Sequence, residues 1–598
     1  MSVAETRESP FKTKQSFYKF VRALQKEVDA GDKDFVRLTK TILVHWLKEV
    51  APTLPASPDL YQFENPLSVV AVEFLHWLTA QSLLDSTYWL SSAYAIWSGD
   101  EHQKSHAMYF TPPSITKRML DDLTAEHVDY KKHVFYDPAC GGAAFLTPIA
   151  VRIRDELIKL NYSSDQIISH VEQHVLGSEL DPVLCTLSQN FLRAIFEKQI
   201  AETGREPNFD IVCADSLFLS SGKKRKIDVI VCNPPYRKLN KVELSSYVSD
   251  YNCVIESQAN LYTLFIYLCL NIVRSGGLIK LISPMSFVSG KTFGKIRYEI
   301  QRQSEIISFG IVGERLNVFI DVEQETIITL MRKKSANVRK GVSEVFKVCR
   351  DGSRQRVGTT LISPGTGVWA IPRRKEDSVI IDRGSRCRAR IADYGYRARI
   401  GAFVWNRDTK KTYFSLSEAK KSRAKLIVPL IWSTDISGER PINLNDRRNS
   451  ENEPLYVDIG DYNHRSLVRH DALLLQRVTS SDQTRRLVAT RLDISQWPEF
   501  PGFVGENHVV ILESDEAVPK CGVEMLRNVL VNEQVERYFR CISGSTNVSV
   551  FELNQLPLPC PQCVGAAVES GLSISDAIEM ILAAEFSNCN HMLGRELK

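Results

Sequence analysis

Apolar residues follow two rhythms along this chain. In the first hundred residues they recur at helical spacing: Phe17, Phe20, Val21 and Leu24, then Phe35, Leu38, Ile42, Leu43, Trp46 and Leu47. Such spacing puts them on one face of a helix. Prolines between Pro52 and Pro58 break the pattern, and Val69 to Trp97 resumes it with many aromatics. Residues 1–105 therefore read as a helical region, a scaffold or oligomerisation element without a chemical motif. From 106 to 335 short apolar runs alternate with amphipathic stretches. Val134–Tyr136, Val175–Leu176, Ile211–Val212, Val229–Cys232, Leu278–Ser283, Ile306–Val312 and Thr326–Met331 read as strands. Ile115–Leu123, Leu184–Phe196, Asn260–Val273 (closed by Gly276-Gly277) and Phe287–Ile300 read as helices. This alternation predicts an α/β domain with a parallel, doubly wound sheet. Residues 336–560 lose the rhythm and read as a separate mixed α/β domain, with strands at Val509–Leu512 and Val548–Phe551. A helix over Ser573–Leu593 makes 561–598 a helical tail.

The chemistry sits where the strands end. The run Val229–Cys232 stops at Asn233-Pro234-Pro235-Tyr236. Two prolines cannot continue a ladder, so the strand delivers a stiff loop to the sheet edge. The Asn233 side-chain oxygen and the Pro234 carbonyl can accept hydrogen bonds from an NH₂ group, and Tyr236 can stack on a flat ring. Upstream, Tyr136-Asp137-Pro138-Ala139-Cys140-Gly141-Gly142 runs from a strand through a glycine turn into a helix. Its small residues admit a ligand close to the backbone. It matches neither the dinucleotide fingerprint nor a Walker loop. Glu179, in Gly177-Ser178-Glu179-Leu180-Asp181-Pro182, ends a second strand, where an acid can accept both hydroxyls of a ribose. Asp215 ends a third. Thr111, before Pro112-Pro113, stands where a helix N-cap is expected, and free N–H groups there favour a carboxylate.

Composition adds little until it is taken locally. Of 598 residues, 43% are hydrophobic and 24% charged, ordinary values for a soluble globular protein. No apolar run approaches the ~18 residues that suggest a membrane span. The polar N-terminus lacks a signal-peptide core, and the 13 cysteines are scattered, which points to a cytoplasmic location. The net charge of +4 hides one basic block: Arg373 to Lys425 holds 16 Lys/Arg against 6 Asp/Glu. Such a block is the footprint of a nucleic-acid contact or else a solvated face. Arg397, Arg399, Arg407, Lys410 and Lys411 are its candidate DNA contacts. Cys560-Pro561-Gln562-Cys563, with Cys589 and His591 downstream, matches no defensible zinc spacing, and no metal is expected.

Taken in order, Tyr109-Phe110-Thr111-Pro112-Pro113, Asp137-Pro138-Ala139-Cys140-Gly141, the Glu179 and Asp215 strand ends and Asn233-Pro234-Pro235-Tyr236 resemble the gamma-class N6-adenine DNA methyltransferases of type II restriction–modification systems. The resemblance covers about 106 to 335. It implies a Rossmann-like S-adenosylmethionine-dependent catalytic domain followed by a target-recognition domain. It also implies that Thr111, Asp137, Ala139 and Gly141 hold the methionine end of that cofactor. Glu179 would take the ribose, Leu180 would pack on the adenine, and Asp215 would hold its amino group. Asn233, Pro234 and Tyr236 would act on the target adenine, with Phe293 a second aromatic contact to the flipped base. Gly142-Ala143-Ala144 departs from the family's usual Ser-Gly-Gly.

The implied partner is double-stranded DNA. A cognate restriction endonuclease would act on the same site without needing to bind this chain. The same loop also suits protein and RNA methyltransferases, and a modification subunit served by a separate specificity subunit is a further alternative. The recognition sequence and the oligomeric state are not readable from these residues.

Overall fold

The computed structural model describes residues 10–29, 34–55, 57–99, 108–219, 226–313, 325–335, 341–362, 365–438, 440–444, 447, 452–479, 483–514, 520–544 and 547–583. The chain divides into two compact units, Met1–Pro284 with Lys295–Arg356, and Met285–Gly294 with Val357–Lys598.

The first unit opens with helices Pro10–Asp29, Phe35–Val50, Val69–Thr79 and Leu83–Trp97. Asp34, Ser68 and Ser82 cap the last three by accepting backbone N–H bonds in the first turn. Their apolar faces enclose Phe17, Trp46, Phe74 and Trp97. That core also takes in Leu187 and Phe191 from the helix Pro182–Ile195. The N-terminal helices thus share one core with the sheet domain, and the expected boundary at 105/106 does not separate two packing units.

Among the described residues the sheet has nine strands: β1 Phe135–Asp137, β2 Val175–Glu179, β3 Asp210–Cys213, β4 Ile227–Cys232, β5 Val273–Pro284, β6 Ser304–Val312, β7 Thr326–Lys333, β8 Ser343–Val348 and β9 Arg354–Thr360. Their order is β3-β2-β1-β4-β5-β7-β6-β8-β9. The β1–β2, β2–β3, β1–β4 and β4–β5 pairs are parallel. Beyond them the doubly wound sheet is mixed rather than parallel. β7 lies antiparallel between β5 and β6, and β6 is parallel to β8. The reason is visible in hindsight: the β6 and β7 runs follow one another without a helical pattern between them, and parallel neighbours need a crossover, usually helical. β8 and β9 also carry the sheet past the expected boundary at 335.

The order reverses at β1, whose two neighbours are β2 and β4. In an open α/β sheet the crevice outside the carboxyl ends at such a switch point is where ligands bind. Asp137 ends β1, and Asn233 follows β4.

Two local readings are corrected. Gly276 and Gly277 lie inside β5 rather than closing a helix. The helix expected from Phe287 begins only at Gly294 and runs to Gln303, preceded by 3₁₀ turns at Met285–Val288 and Lys291–Phe293. Pro284 and Gly290 interrupt the turn-by-turn bonding that the apolar spacing alone suggested.

Among the described residues the second unit holds two four-stranded sheets. One joins β10 Arg397–Ile400, β17 Val509–Glu513, β14 Ala472–Gln476 and β15 Ala489–Leu492 in antiparallel pairs. The other joins β11 Thr412–Tyr413, β13 Tyr456–Asp458, β12 Ile427–Ile431 and β16 Val504–Gly505. The strand expected at Val548–Phe551 is instead the approach to the helix Val550–Gln555, which Ser549 caps. Helices Pro561–Glu569 and Ile574–Ala583 bury Val564, Ala567, Ile578 and Leu582 in the unit's core, so 561–583 is packed structure and not a tail.

Phe191 is fully buried and meets Trp46 edge-on at 5.3 Å. Phe191→Ala is expected to lower stability by ~3–5 kcal/mol, measured by urea unfolding followed through tryptophan fluorescence. A loss below ~1 kcal/mol would contradict a shared core.

Candidate active site at the sheet switch point

The carboxyl ends of β1, β2, β3 and β4 open into one cleft of about 870 Å³, counted out to its mouth. Thr111, Asp137, Ala139, Gly141, Glu179, Leu180, Asp215 and Asn233 all line it. The residues singled out at separate strand ends therefore converge on a single site.

At the β1 end the turn needs its glycines. Gly141 has φ +54°, and a Cβ there would sit 2.7 Å from the Phe110 ring. A Cβ on Gly142 would collide with Ser91 of the N-terminal helices. The adjoining Ala143 also takes a positive φ of 59°, an unusual conformation for a residue with a side chain. Asp137 Oδ1 accepts the Ala139 N–H at 3.0 Å. Its Oδ2 is buried and finds no nitrogen or oxygen partner among the described residues. Burial, reinforced by the Glu179 charge, pushes the Asp137 carboxyl up to about 8 against the Ala139 bond.

Thr111 does not cap the helix Pro113–Ala125. Pro112 holds the N-cap position without a side-chain bond. The Thr111 hydroxyl is buried and finds no partner among the described residues. It stands beside a helix end that is itself uncapped by any side chain.

Glu179 is held by three backbone donors. Its Oε2 accepts from Gly141 N at 2.8 Å. Its Oε1 accepts from Leu180 N at 2.9 Å and Asp181 N at 3.0 Å. Burial nevertheless raises its pKa. Leu180, beside it, is 52% exposed, a large apolar side chain left uncovered at the cleft edge. Asp181 caps the helix Pro182–Ile195 through Val183 N and Leu184 N, and it accepts the Tyr94 hydroxyl at 2.9 Å.

Asp215 accepts from Leu217 N at 2.9 Å through Oδ1 and from the Tyr247 hydroxyl at 2.7 Å through Oδ2. Tyr247, Arg237, Phe110 and Phe265 also line the cleft. Tyr94, Arg237 and Tyr247 were missed in the sequence. They stand outside any strand-end motif, where nothing distinguishes them from ordinary helix or loop residues.

On the loop after β4, Asn233 Nδ2 donates to the Tyr109 carbonyl at 2.8 Å. Asn233 Oδ1 is buried and has no partner among the described residues. Pro234 is buried, and the cleft lining takes Asn233 and Pro235 from this loop but neither Pro234 nor Tyr236. Tyr236 is pinned from within: its hydroxyl donates to the Ile282 carbonyl at 3.0 Å, and Tyr262 meets its ring edge-on at 6.2 Å. Phe293 is buried in the 3₁₀ turn Lys291–Phe293, which belongs to the second unit.

The candidate DNA contacts also lie in the second unit. Arg397 and Arg399 share the Glu513 carboxylate, Arg399 at 2.5 Å. Lys410 pairs with Asp408 at 3.0 Å. Arg407 and Lys411 are exposed. Cys560 donates its thiol to Gln562 Oε1 at 3.0 Å and Cys563 is buried. Cys589 and His591 lie outside the described residues. Among the described residues no helix is long and apolar enough to cross a membrane.

The sequence profile of the Eco57I restriction-modification methylase family matches residues 147–319. The type II methyltransferase M.BstVI of Geobacillus stearothermophilus is 26% identical over 371 residues, 57% of this chain and 65% of that protein, so the alignment spans just under two thirds of the relative's length. The type II methyltransferase M.PstI of Providencia stuartii is 22% identical over 482 residues, 77% of this chain and 88% of that one. Among solved structures, the type IIL restriction-modification enzyme MmeI in complex with DNA matches with a TM-score of 0.55 at 13% identity, covering 91% of this chain and 89% of that one; this likeness speaks to the fold alone. By the family profile and these relatives, the chain is similar to the type II restriction–modification methyltransferases.

Proposed function

We propose that this chain transfers a methyl group from S-adenosylmethionine to the N6 amine of an adenine flipped out of duplex DNA at a specific sequence, protecting that site from a cognate endonuclease. The observation that carries the reading is the Asn233 side chain: its nitrogen is committed to Tyr109 O while its oxygen is buried and unpartnered. A buried acceptor without a donor costs ~1–3 kcal/mol. An exocyclic amine is the guest that relieves it.

The cleft fits the cofactor by the chemistry of its donors and acceptors. Thr111 Oγ1 and Asp137 Oδ2, buried without a nitrogen or oxygen partner among the described residues, suit its amino-acid end, with the small turn Ala139–Gly141 alongside. Glu179, with three of its roughly four lone-pair sites taken by backbone N–H groups, offers the remaining acceptor to a ribose hydroxyl, Leu180 an apolar face and Asp215 an acceptor for an amino group. Bound there, S-adenosylmethionine supplies a methyl group already activated on a sulfonium. The protein needs no general base before attack. Asn233 Oδ1 and the Pro234 carbonyl would draw the amine protons, so that its lone pair is no longer spread into the purine ring. The rest is positioning and electrostatics. Tyr236 is the proposed stacking partner for the base. Flipping costs a few kcal/mol, and stacking offsets ~1–3 kcal/mol of it. The exposed basic side chains of the 373–425 block, Arg407 and Lys411 among them, are the proposed phosphate contacts.

Asn233→Ala is expected to reduce methyl transfer from labelled S-adenosylmethionine to plasmid DNA by at least ~10³-fold, with cofactor binding by calorimetry within about threefold of wild type. Tyr236→Ala should lose less. Label arriving in protein or RNA but not DNA, or full activity in the Asn233 variant, would sink the reading.

Asp137 generates a second expectation. Between its unfolded pKa near ~4 and its folded value of about 8, the folded state binds a proton that the unfolded state does not. Stability therefore falls as pH rises through that window. Asp137→Asn should raise the ligand-free protein's thermal midpoint at pH 8, with the gain vanishing towards pH 4. An equal gain at both pH values would show that the ionisation is not responsible.

A further inference from the structure

We infer that Tyr247 is a positioning residue that makes the cofactor site selective for an amino-bearing purine, by locking the Asp215 carboxylate in one orientation. The inference rests on the cofactor reading above and extends it to a residue outside every strand-end motif.

Four observations meet here. Tyr247 lines the same cleft as Asp215. Its hydroxyl donates to Asp215 Oδ2 at 2.7 Å while Leu217 N donates to Oδ1 at 2.9 Å. One donor on each oxygen, approaching from different elements, stops rotation of the carboxylate. The Tyr247 ring is itself stacked on Phe218, with centroids 4.9 Å apart and planes 16° apart.

Finally, the helix Lys241–Tyr251 that carries Tyr247 is fixed at its start. Asn240 caps it through Val242 N and Glu243 N, and Glu243 returns a bond to Asn240 N. Glu243 also pairs with Arg237 at 2.8 Å, and Arg237 directly follows Tyr236. Tyr247 lies one helical turn beyond Glu243. The tyrosine is thus held at both its backbone and its ring, and the catalytic loop's next residue anchors the helix that holds it.

A carboxylate has about four lone-pair sites, and two are taken. Those that remain can only accept. They welcome the N–H of an adenine amine and repel the carbonyl oxygen that hypoxanthine carries in its place. Without Tyr247 the carboxylate keeps its charge but can turn, and part of the discrimination goes to reorganisation.

The test measures binding of S-adenosylhomocysteine and S-inosylhomocysteine to the full chain by calorimetry. Wild type is expected to prefer the adenosine compound by about 10- to 100-fold, the value of one hydrogen bond to a charged group. Tyr247→Phe keeps the ring and its stack. It should cut that preference at least about fivefold, with affinity for S-inosylhomocysteine within about twofold of wild type. Tyr247→Ala should add a loss common to both compounds.

An unchanged preference in Tyr247→Phe, or an equal loss for both compounds, overturns the inference and leaves the cofactor reading standing. Wild type that binds both equally also overturns it. Wild type that binds neither compound overturns the cofactor reading, and the inference falls with it.

Discussion

A carbonyl oxygen can only accept a hydrogen bond, and that fact orients the residue on which the site depends. The Tyr109 carbonyl stands 2.8 Å from the Asn233 amide, so the amide must present its nitrogen there and its oxygen elsewhere. Reversing the amide would set two acceptors against each other. The asparagine is therefore fixed before any guest arrives, with its acceptor bare. Two separate segments make this so: β4 and its proline-stiffened loop supply the asparagine, and the stretch before Thr111 supplies the carbonyl. The parallel β1–β4 pairing then brings Asp137 and Asn233 to the same crevice.

The same region carries an unusual concentration of unsatisfied polar atoms. Thr111 Oγ1, Asp137 Oδ2 and Asn233 Oδ1 are all buried without a nitrogen or oxygen partner among the described residues. Two carboxyls there are raised by burial, Asp137 further by the Glu179 charge and Glu179 further by that of Asp181. Folding alone does not reward such an arrangement, because each lone acceptor forfeits its water. Clustering of orphan groups and shifted carboxyls in one cleft is the signature of a site whose missing partners belong to a ligand. The ledger closes when a ligand brings donors and a cation.

Strand ends were legible in the sequence because their punctuation is chemical. Asp-Pro with a glycine turn, Glu before Asp-Pro and Asn before Pro-Pro all announce a chain that must stop, and the structure gathers those stops in one cleft. What could not be read was anything that depends on a neighbour. Whether β7 ran parallel or antiparallel depended on which strand it paired with, and apolar runs say only that a strand is buried. Tyr94 and Tyr247 act through Asp181 and Asp215, which are far away in sequence. The basic block shows the same limit from another side. Sixteen cations in a stretch do not mean sixteen available charges: Glu513 neutralises part of the Arg397 and Arg399 pair, and Asp408 faces Lys410. Charge density is a property of the sequence, and free charge is a property of the fold.

The N-terminal helices change meaning on the same grounds. Taken as sequence they were a scaffold with no chemistry, since nothing in them carries a motif. In the structure Ser91 closes on the turn where Gly142 leaves no room for a side chain, and Tyr94 holds Asp181, the cap of the helix after β2. Those contacts lie behind the Gly141 and Glu179 backbones that bound the cleft. A glycine at 142 is then a requirement of packing against Ser91 as much as of any ligand. A wall built from the N-terminal segment ties the geometry of the cleft to the core of Trp46 and Phe191.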